Sequence, residues 1–444
     1  MKILKSPLYI KIGGILLISM LLLIPTSMLQ DLVRERQQRQ EETVSEISQQ
    51  WGKEQTITGP FISIPFTRTI KQTTANGGYQ YVPHIDYIHV LPEKLEIETQ
   101  IDPQVRYRGI YETVVYDSDI QLKGNFAPID IKDLEVDPDK IKWDKARLVI
   151  GFSDLHGIES TKEVKWGDTS LNCLPGIGNR QVVETGIHAK LDTLFDVNQS
   201  ASFSISVELK GSSGMWFTPL GKETSVVASS SWKDPSFLGA FLPDEREVSP
   251  EGFRSNWNVL HLNRSFPQVW KGSKYTVEQS EFGVQLLQPV DHYRKSLRTM
   301  KYALLFVGFT FLTFFFVEIL KKKNMHPMQY ILVGLALVVF YSLLLAISEH
   351  LGYDVSFLIS SVATITLVSL YVRSVLNSSA LMSLISGVLV ILYGFIYVVM
   401  QLQDYALLIG SCSIFMVLAL VMFLSSKVNW NEIGNSENEL NKEQ

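Results

Sequence analysis

Apolar residues fall into two rhythms along this chain. At the start and over the last third they run almost unbroken for about 20 residues at a time. That is the length a helix rising about 1.5 Å per residue needs to cross about 30 Å of hydrocarbon. Six stretches qualify: Leu8 to Leu29, Tyr302 to Leu320, Met328 to Ile347, Tyr353 to Val372, Ala380 to Met400 and Tyr405 to Leu424. Between the first and second, the rhythm changes to a period of two. Phe203, Ile205, Val207 and Leu209 alternate with Ser204, Ser206, Glu208 and Lys210, the pattern of a half-buried strand. Tyr116, Ile120 and Leu122 alternate likewise with Asp117, Asp119, Gln121 and Lys123, and Leu95 and Ile97 with Glu96 and Glu98. Turn signals separate the runs at Asn76-Gly77-Gly78, Asp137-Pro138 and Gly211-Ser212-Ser213-Gly214. The pattern predicts an antiparallel, sandwich-like domain with one large core or two smaller ones.

Joining the two rhythms, Gln30 to Gln50 is charged or amide-rich and reads as a helical stalk leaving the membrane. Val44, Ile47 and Trp51 sit at i, i+3 and i+7, so its last turns can bury one stripe against the domain before Gly52 stops the helix. A coiled-coil partner is the alternative reading, but no sustained heptad supports it.

Composition strengthens the membrane reading: 46% of the 444 residues are hydrophobic and 19% charged, with a mean hydropathy of +0.12. A net charge of −5 offers no basic field for a polyanion, so nucleic acid is not an expected partner. Two cysteines, Cys173 and Cys412, are too few for a disulfide scaffold or a thiolate zinc site, and Cys412 is expected to be a small buried apolar residue. The first span could serve as a secretory signal. However, Pro25-Thr26-Ser27-Met28-Leu29 continues the apolar run without a small-x-small cleavage site, which favours an uncleaved anchor. Lys2, Lys5, Lys321-Lys322-Lys323, Arg373 and Lys427 fall in the N-terminus, alternate connections and the tail, while the other short loops hold Glu349, His350 and Asp354, or Gln401 to Asp404. Positive loops stay in the cytoplasm, so both termini are expected there, with residues 30–301 outside.

Longer motifs carry a resemblance. Trp51-Gly52-Lys53-Glu54-Gln55-Thr56-Ile57-Thr58-Gly59-Pro60 leads to Ile64-Pro65-Phe66. In order there follow Arg108-Gly109-Ile110-Tyr111-Glu112, Ser231-Trp232-Lys233-Asp234-Pro235-Ser236-Phe237, Gln288-Pro289-Val290-Asp291-His292-Tyr293, and Val333-Gly334-Leu335-Ala336-Leu337 running on to Ser348-Glu349-His350. Together these span nearly the whole chain and resemble the CreD family of bacterial inner-membrane proteins. The resemblance implies an inner-membrane location in a Gram-negative-type envelope and a link to envelope integrity. It also implies association with a two-component regulatory system and altered tolerance to colicins or β-lactams. It implies no known reaction and no catalytic residues.

Local chemistry adds little. The sequence contains no Gly-x-x-x-x-Gly-Lys-Ser/Thr, His-Glu-x-x-His or Gly-x-Ser-x-Gly, so no enzyme, cofactor or metal site is expected. Gly176-Ile177-Gly178 follows Pro175 and reads as a turn. Arg108, Gly109 and Tyr111 could offer a guanidinium and a phenol to a carboxylate or phosphate, against the plainer reading of a strand edge with a bulge at Gly109. Trp51, Gln55, Gly59 and Pro60 read as the packed lead-in to the first strand. Glu349, His350 and Asp354 form a titratable group suited to proton or metal sensing, against the plainer reading of solvated interfacial residues. Glu318 is expected to pair with Lys321 or Lys322, and Lys11 to snorkel. Ser360, Ser361, Thr364 and Thr366 suit a helix contact face. Asn198 and Asn263 matter only in a pathway that glycosylates.

The expected protein is therefore an α+β membrane protein with six transmembrane α-helices, one N-terminal and five C-terminal, and a large antiparallel β-rich periplasmic domain between the first and second. Its parts are residues 1–29 (first helix), 30–51 (stalk), 52–301 (β-rich domain), 302–424 (five-helix bundle) and 425–444 (polar cytoplasmic tail). Its expected partners are the lipid bilayer and an unidentified envelope protein or component. The functional alternatives are a transporter or flippase, which needs a polar path through the bundle, and a periplasmic hydrolase, which needs a nucleophile and base in one cleft. Scarce ionisable groups within the spans weigh against ion-coupled transport.

Overall fold

In the computed structural model, residues 7–73, 78–129, 134–286, 292–321, 325–402 and 406–426 are described. Lys2, Lys5, Asn76-Gly77, Gln288 to Asp291, Lys322, Lys323, Asp404 and the tail from Lys427 lie outside them. The chain divides into two compact units, residues 1–40 with 290–444, and residues 41–289.

The first unit is helical: α1 Pro7–Leu21, α2 Leu23–Trp51, α3 His292–Lys301, α4 Ala303–Lys321, α5 Pro327–Leu376, α6 Ser379–Gln401 and α7 Ala406–Ser426. α2 carries on from the membrane-type sequence into the second unit. The described parts of all six predicted stretches lie on these helices, apart from single non-helical residues at Leu22 and Tyr302. Among the described residues, three helices are long and apolar enough to cross a membrane: Lys11–Trp51, Pro327–Leu376 and Ser379–Gln401. The pair His292–Lys301 and Ala303–Ile319, bent by 46°, makes a fourth if it counts as one span.

α5 is not a single straight rod. Gly352 has φ 73° and ψ 172° inside it, a conformation suited to glycine. Phe340 and Phe357 lie on either side, with ring centroids only 5.5 Å apart. Along a straight helix those positions would be separated by about 25 Å, so the chain doubles back at Gly352 into two antiparallel arms. Edge-to-face contacts of Phe340 and Phe357 with the Tyr393 ring of α6 tie both arms to that helix. Its ends are set by ordinary capping. His326 accepts from the Met328 N–H ahead of Pro327, Asn377 takes the left-handed conformation at φ 49°, and the Ser378 hydroxyl accepts the N–H of Leu381.

Among its described residues, the second unit contains two sheets, of nine and eight strands. Residues predicted to face inward do so: Tyr116, Ile120 and Leu122 are fully buried, and Leu95, Ile97, Phe203, Ile205, Val207 and Leu209 nearly so. Residues from both sheets belong to one hydrophobic core running from Ile57 to Leu286, so there is one core rather than two. The expectation of an antiparallel domain needs correction, because two central pairings are parallel. Gln55–Thr73 runs parallel to Gly214–Thr218, and Lys94–Arg108 parallel to Glu223–Ser230. The first follows from connectivity: Ala201–Ser212 belongs to the eight-stranded sheet and passes within two residues into Gly214–Thr218 of the nine-stranded sheet. A strand that changes sheets takes whatever direction its neighbour allows, and alternation of side chains does not encode that.

Candidate functional site

The lead-in from Trp51 to Pro60 is a structural joint. Trp51 closes α2 half-buried, its Nε1 donating to the Tyr116 carbonyl at 3.3 Å, while the Arg106 guanidinium and Lys210 ammonium lie 4.7 and 4.6 Å from its ring. Gly52 follows with φ 153°, and a Cβ there would stand 2.7 Å from the Lys210 carbonyl oxygen, so any larger residue forces backbone apart. Gln55 is fully buried. Its amide donates to the carbonyls of Asp154 and Lys210 at 3.0 and 3.1 Å, tying the first strand to both sheets. Asp154 completes the joint by accepting the N–H groups of Lys53 at 2.9 Å and His156 at 3.1 Å. Burial works to raise the Asp154 pKa, but those two N–H groups and the His156 ring outweigh it and hold the carboxyl below its ordinary value. Gly59–Pro60 is a cis peptide beside the register shift between Thr58 and Phe61.

Arg108, Gly109 and Tyr111 form neither a strand edge nor a bulge. They make the tip of the hairpin joining two central strands of the eight-stranded sheet, with Arg108 opposite Tyr111 and Gly109 in the turn at φ 64°. Arg108 pairs with Glu46 of α2 at 2.5 Å. The Tyr111 hydroxyl is enclosed with no described partner, so guanidinium and phenol are not displayed together.

The predicted titratable group separates into different contacts. Glu349 ends the first arm of α5 with 13% of its side chain exposed, accepts the Tyr293 hydroxyl of α3 at 3.1 Å and lies 3.7 Å from Arg36 Nε of α2. Asp354 starts the second arm and accepts the Gln401 amide of α6 at 2.8 Å. His350 is exposed. Among the described residues, no group of three or more His, Cys, Asp or Glu side chains is arranged to hold a metal ion.

Two polar clusters were not predicted. Glu318 pairs with Lys11 of α1, in place of the expected snorkelling of Lys11, while the Lys321 side chain and Lys322, its expected partners, lie outside the described structure. The same carboxylate accepts the Met325 N–H at 2.9 Å and the Tyr330 hydroxyl at 3.2 Å, so one buried acid ties α1, α4 and the start of α5 together. In the β unit, His89 is fully buried between Phe61 and Trp270, with ring centroids at 6.0 and 5.4 Å. Its Nε2 lies 3.0 Å from Gln181 Oε1, and Gln181 in turn donates to Asp86 at 2.8 Å. Arg68 reaches the other Asp86 oxygen at 3.0 Å. Burial lowers the His89 pKa to about 4, against smaller opposing effects of the Gln181 hydrogen bond and the Asp86 charge. These clusters join residues up to 307 apart in sequence, which local pattern cannot reveal. Cys412, expected to be buried, is exposed on α7.

The β unit also carries an exposed arm. From Thr67 to Thr73 and from Tyr79 to Ile85, the first two strands pair only with each other among the described residues. This two-stranded ribbon reaches about 20 Å from the sheet. Tyr79, Tyr81 and Ile85 are 64%, 69% and 51% exposed on it.

Comparison with known proteins covers most of the chain. The profile of the family described as Inner membrane protein CreD matches residues 7–431. The Inner membrane protein CreD of Escherichia coli (strain K12) is 32% identical over 431 residues, which cover 96% of this chain and 94% of that protein. The chain belongs to the CreD family of inner membrane proteins.

Proposed function

We propose that the protein supports cell-envelope integrity or the envelope-stress response, without catalysis, by holding an envelope protein or component through its β-rich unit. In this reading the β unit lies in the periplasm, six spans anchor it and both termini are cytoplasmic. The two arms of α5 count as two spans, since one straight 50-residue helix would be about 75 Å long. The observation that carries the binding role is the exposed arm. Its outer edges leave backbone N–H and C=O groups able to accept an added strand, and Tyr79, Tyr81 and Ile85 supply apolar anchors beside them. Residues at the lead-in and the Arg108 hairpin serve to build the platform from which the arm projects.

The test is complementation. In cells lacking the gene and sensitised to detergent or β-lactam, a chain carrying Tyr79→Ser, Tyr81→Ser and Ile85→Ser at matched expression should fail to restore tolerance, while Glu349→Ala with His350→Ala should restore it. Full restoration by the arm variant would remove the arm from the function. The transport reading draws on a different observation: Thr310, Tyr341 and Ser360 are buried in the bundle with hydroxyls that have no described partner. Loss of function through Ser360→Ala with the arm intact would favour it.

A further inference from the structure

The second arm of α5 and α6 run antiparallel, with Asp354 beside Gln401 at one end and Ser369 hydrogen-bonded to Ser386 further along. Between them lies a groove of about 560 Å³ whose lining includes Asp354, Phe357, Ile365, Val390, Gly394 and Tyr397. Three features of this groove point to one kind of occupant.

Its depth matches one leaflet. From Asp354 to Ile365 the helix advances about 16 Å, close to half of the about 30 Å hydrocarbon core. Its mouth is at headgroup level, because Asp354 follows the Gly352 turn and Gln401 ends α6, so both stand where helices leave the apolar layer. Its polar end carries an acid. Asp354 accepts a hydrogen bond from the neutral Gln401 amide at 2.8 Å, while the cations of α3 face the neighbouring Tyr353, with Lys295 Nζ 5.7 Å from its ring and Arg298 acting on the same side chain. Phe357 and Tyr397, with ring centroids 5.5 Å apart, add aromatic faces next to it that also favour a cation. Gly394 keeps the wall open, for a Cβ added there would meet nothing within 4 Å.

We propose that this groove holds one acyl chain of a phospholipid with a primary ammonium headgroup, the ammonium donating to Asp354. An anionic headgroup would meet the carboxylate with like charge, and a quaternary ammonium would bring no N–H donor. The site requires only that the bundle lie in a bilayer. It is independent of which side the β unit occupies and of what the β unit binds.

Native mass spectrometry of the full chain in detergent tests it, using phosphatidylethanolamine, phosphatidylglycerol and phosphatidylcholine of identical acyl chains at equal concentration. The wild type should retain phosphatidylethanolamine about tenfold better than phosphatidylglycerol, in line with one charge-assisted hydrogen bond, and better than phosphatidylcholine. Asp354→Asn should bring the three close to equal retention, and Gly394→Leu, whose side chain enters open space, should lower retention of all three. Circular dichroism and elution volume serve to match the variants for folding. Equal retention of the three lipids by wild type would overturn the proposal. So would a preference that survives both substitutions, which would place the lipid elsewhere.

Discussion

Acidification should weaken the β unit through His89, and the size of the effect can be worked out. The ring is fully buried. Gln181 presents an oxygen to Nε2, which therefore carries the proton, and Nδ1 has no described partner. Protonating Nδ1 would bury a cation with no acceptor at that atom. This explains why burial brings the pKa from 6.5 to about 4 in the folded protein. The folded value is the lower one, so the unfolded chain binds more protons between these limits. Stability is then full above about pH 6.5 and falls as pH drops toward 4. At pH 5 the loss relative to pH 7 is about 2 kcal/mol, which for a unit of this size corresponds to about 4–8 °C in Tm. Tryptophan fluorescence is a suitable readout because seven of the eight tryptophans lie within residues 41–289. His89→Leu should unfold at lower temperature at pH 7, having left the Gln181 oxygen unpaired, but its further loss on going to pH 5 should be smaller than that of wild type by about 2 kcal/mol. The difference between the two proteins isolates His89 from the other histidines. An equal acid-induced loss in both would refute the reasoning.

Three further outcomes are expected. Gly52→Ala should destabilise the β unit by about 1–3 kcal/mol, because its Cβ meets the Lys210 carbonyl and φ 153° suits only glycine; an unchanged melting curve would contradict this. Gln55→Leu, similar in volume, leaves two buried carbonyls without their donor and should cost about 2–4 kcal/mol in the same assay. In the helical unit, Lys11→Met should cost about 3–5 kcal/mol by leaving Glu318 buried and unpaired. Adding Glu318→Leu should recover much of that in a detergent unfolding series, and a double variant worse than the single one would argue against the pairing.

Much of the architecture follows from pattern. Runs of about 20 apolar residues became helices because the backbone in hydrocarbon must satisfy its own hydrogen bonds. Alternation at Phe203 to Lys210 became a strand with its apolar side in the core. The stripe Val44, Ile47 and Trp51 is half-buried on the last turns of α2, as helical periodicity requires. What pattern did not carry is long-range pairing. Parallel neighbours arise where a strand changes sheets, and Lys11 meets Glu318 only after the bundle has assembled. His89 looked like any other residue in an alternating strand, since nothing local shows that Gln181 will lie across from it. Arg108-Gly109 fits a strand edge by local pattern, although a Gly at a turn position flanked by two alternating runs is also what a hairpin tip requires. The exposed arm could have been found in the run from Thr67 to Ile85, where polar residues occupy both faces and the inward alternation fails.

The central claim, a β unit outside the cytoplasm held by helices that return to it, is tested most directly by labelling single cysteines in intact cells. In a chain with Cys173→Ser and Cys412→Ser, one version carries Tyr81→Cys on the exposed arm and another Ser379→Cys at the exposed start of α6. With the outer membrane permeabilised, a membrane-impermeant maleimide should label position 81 in intact cells and position 379 only after the inner membrane is broken. Labelling of 379 in intact cells, or protection of 81 until lysis, would contradict the account.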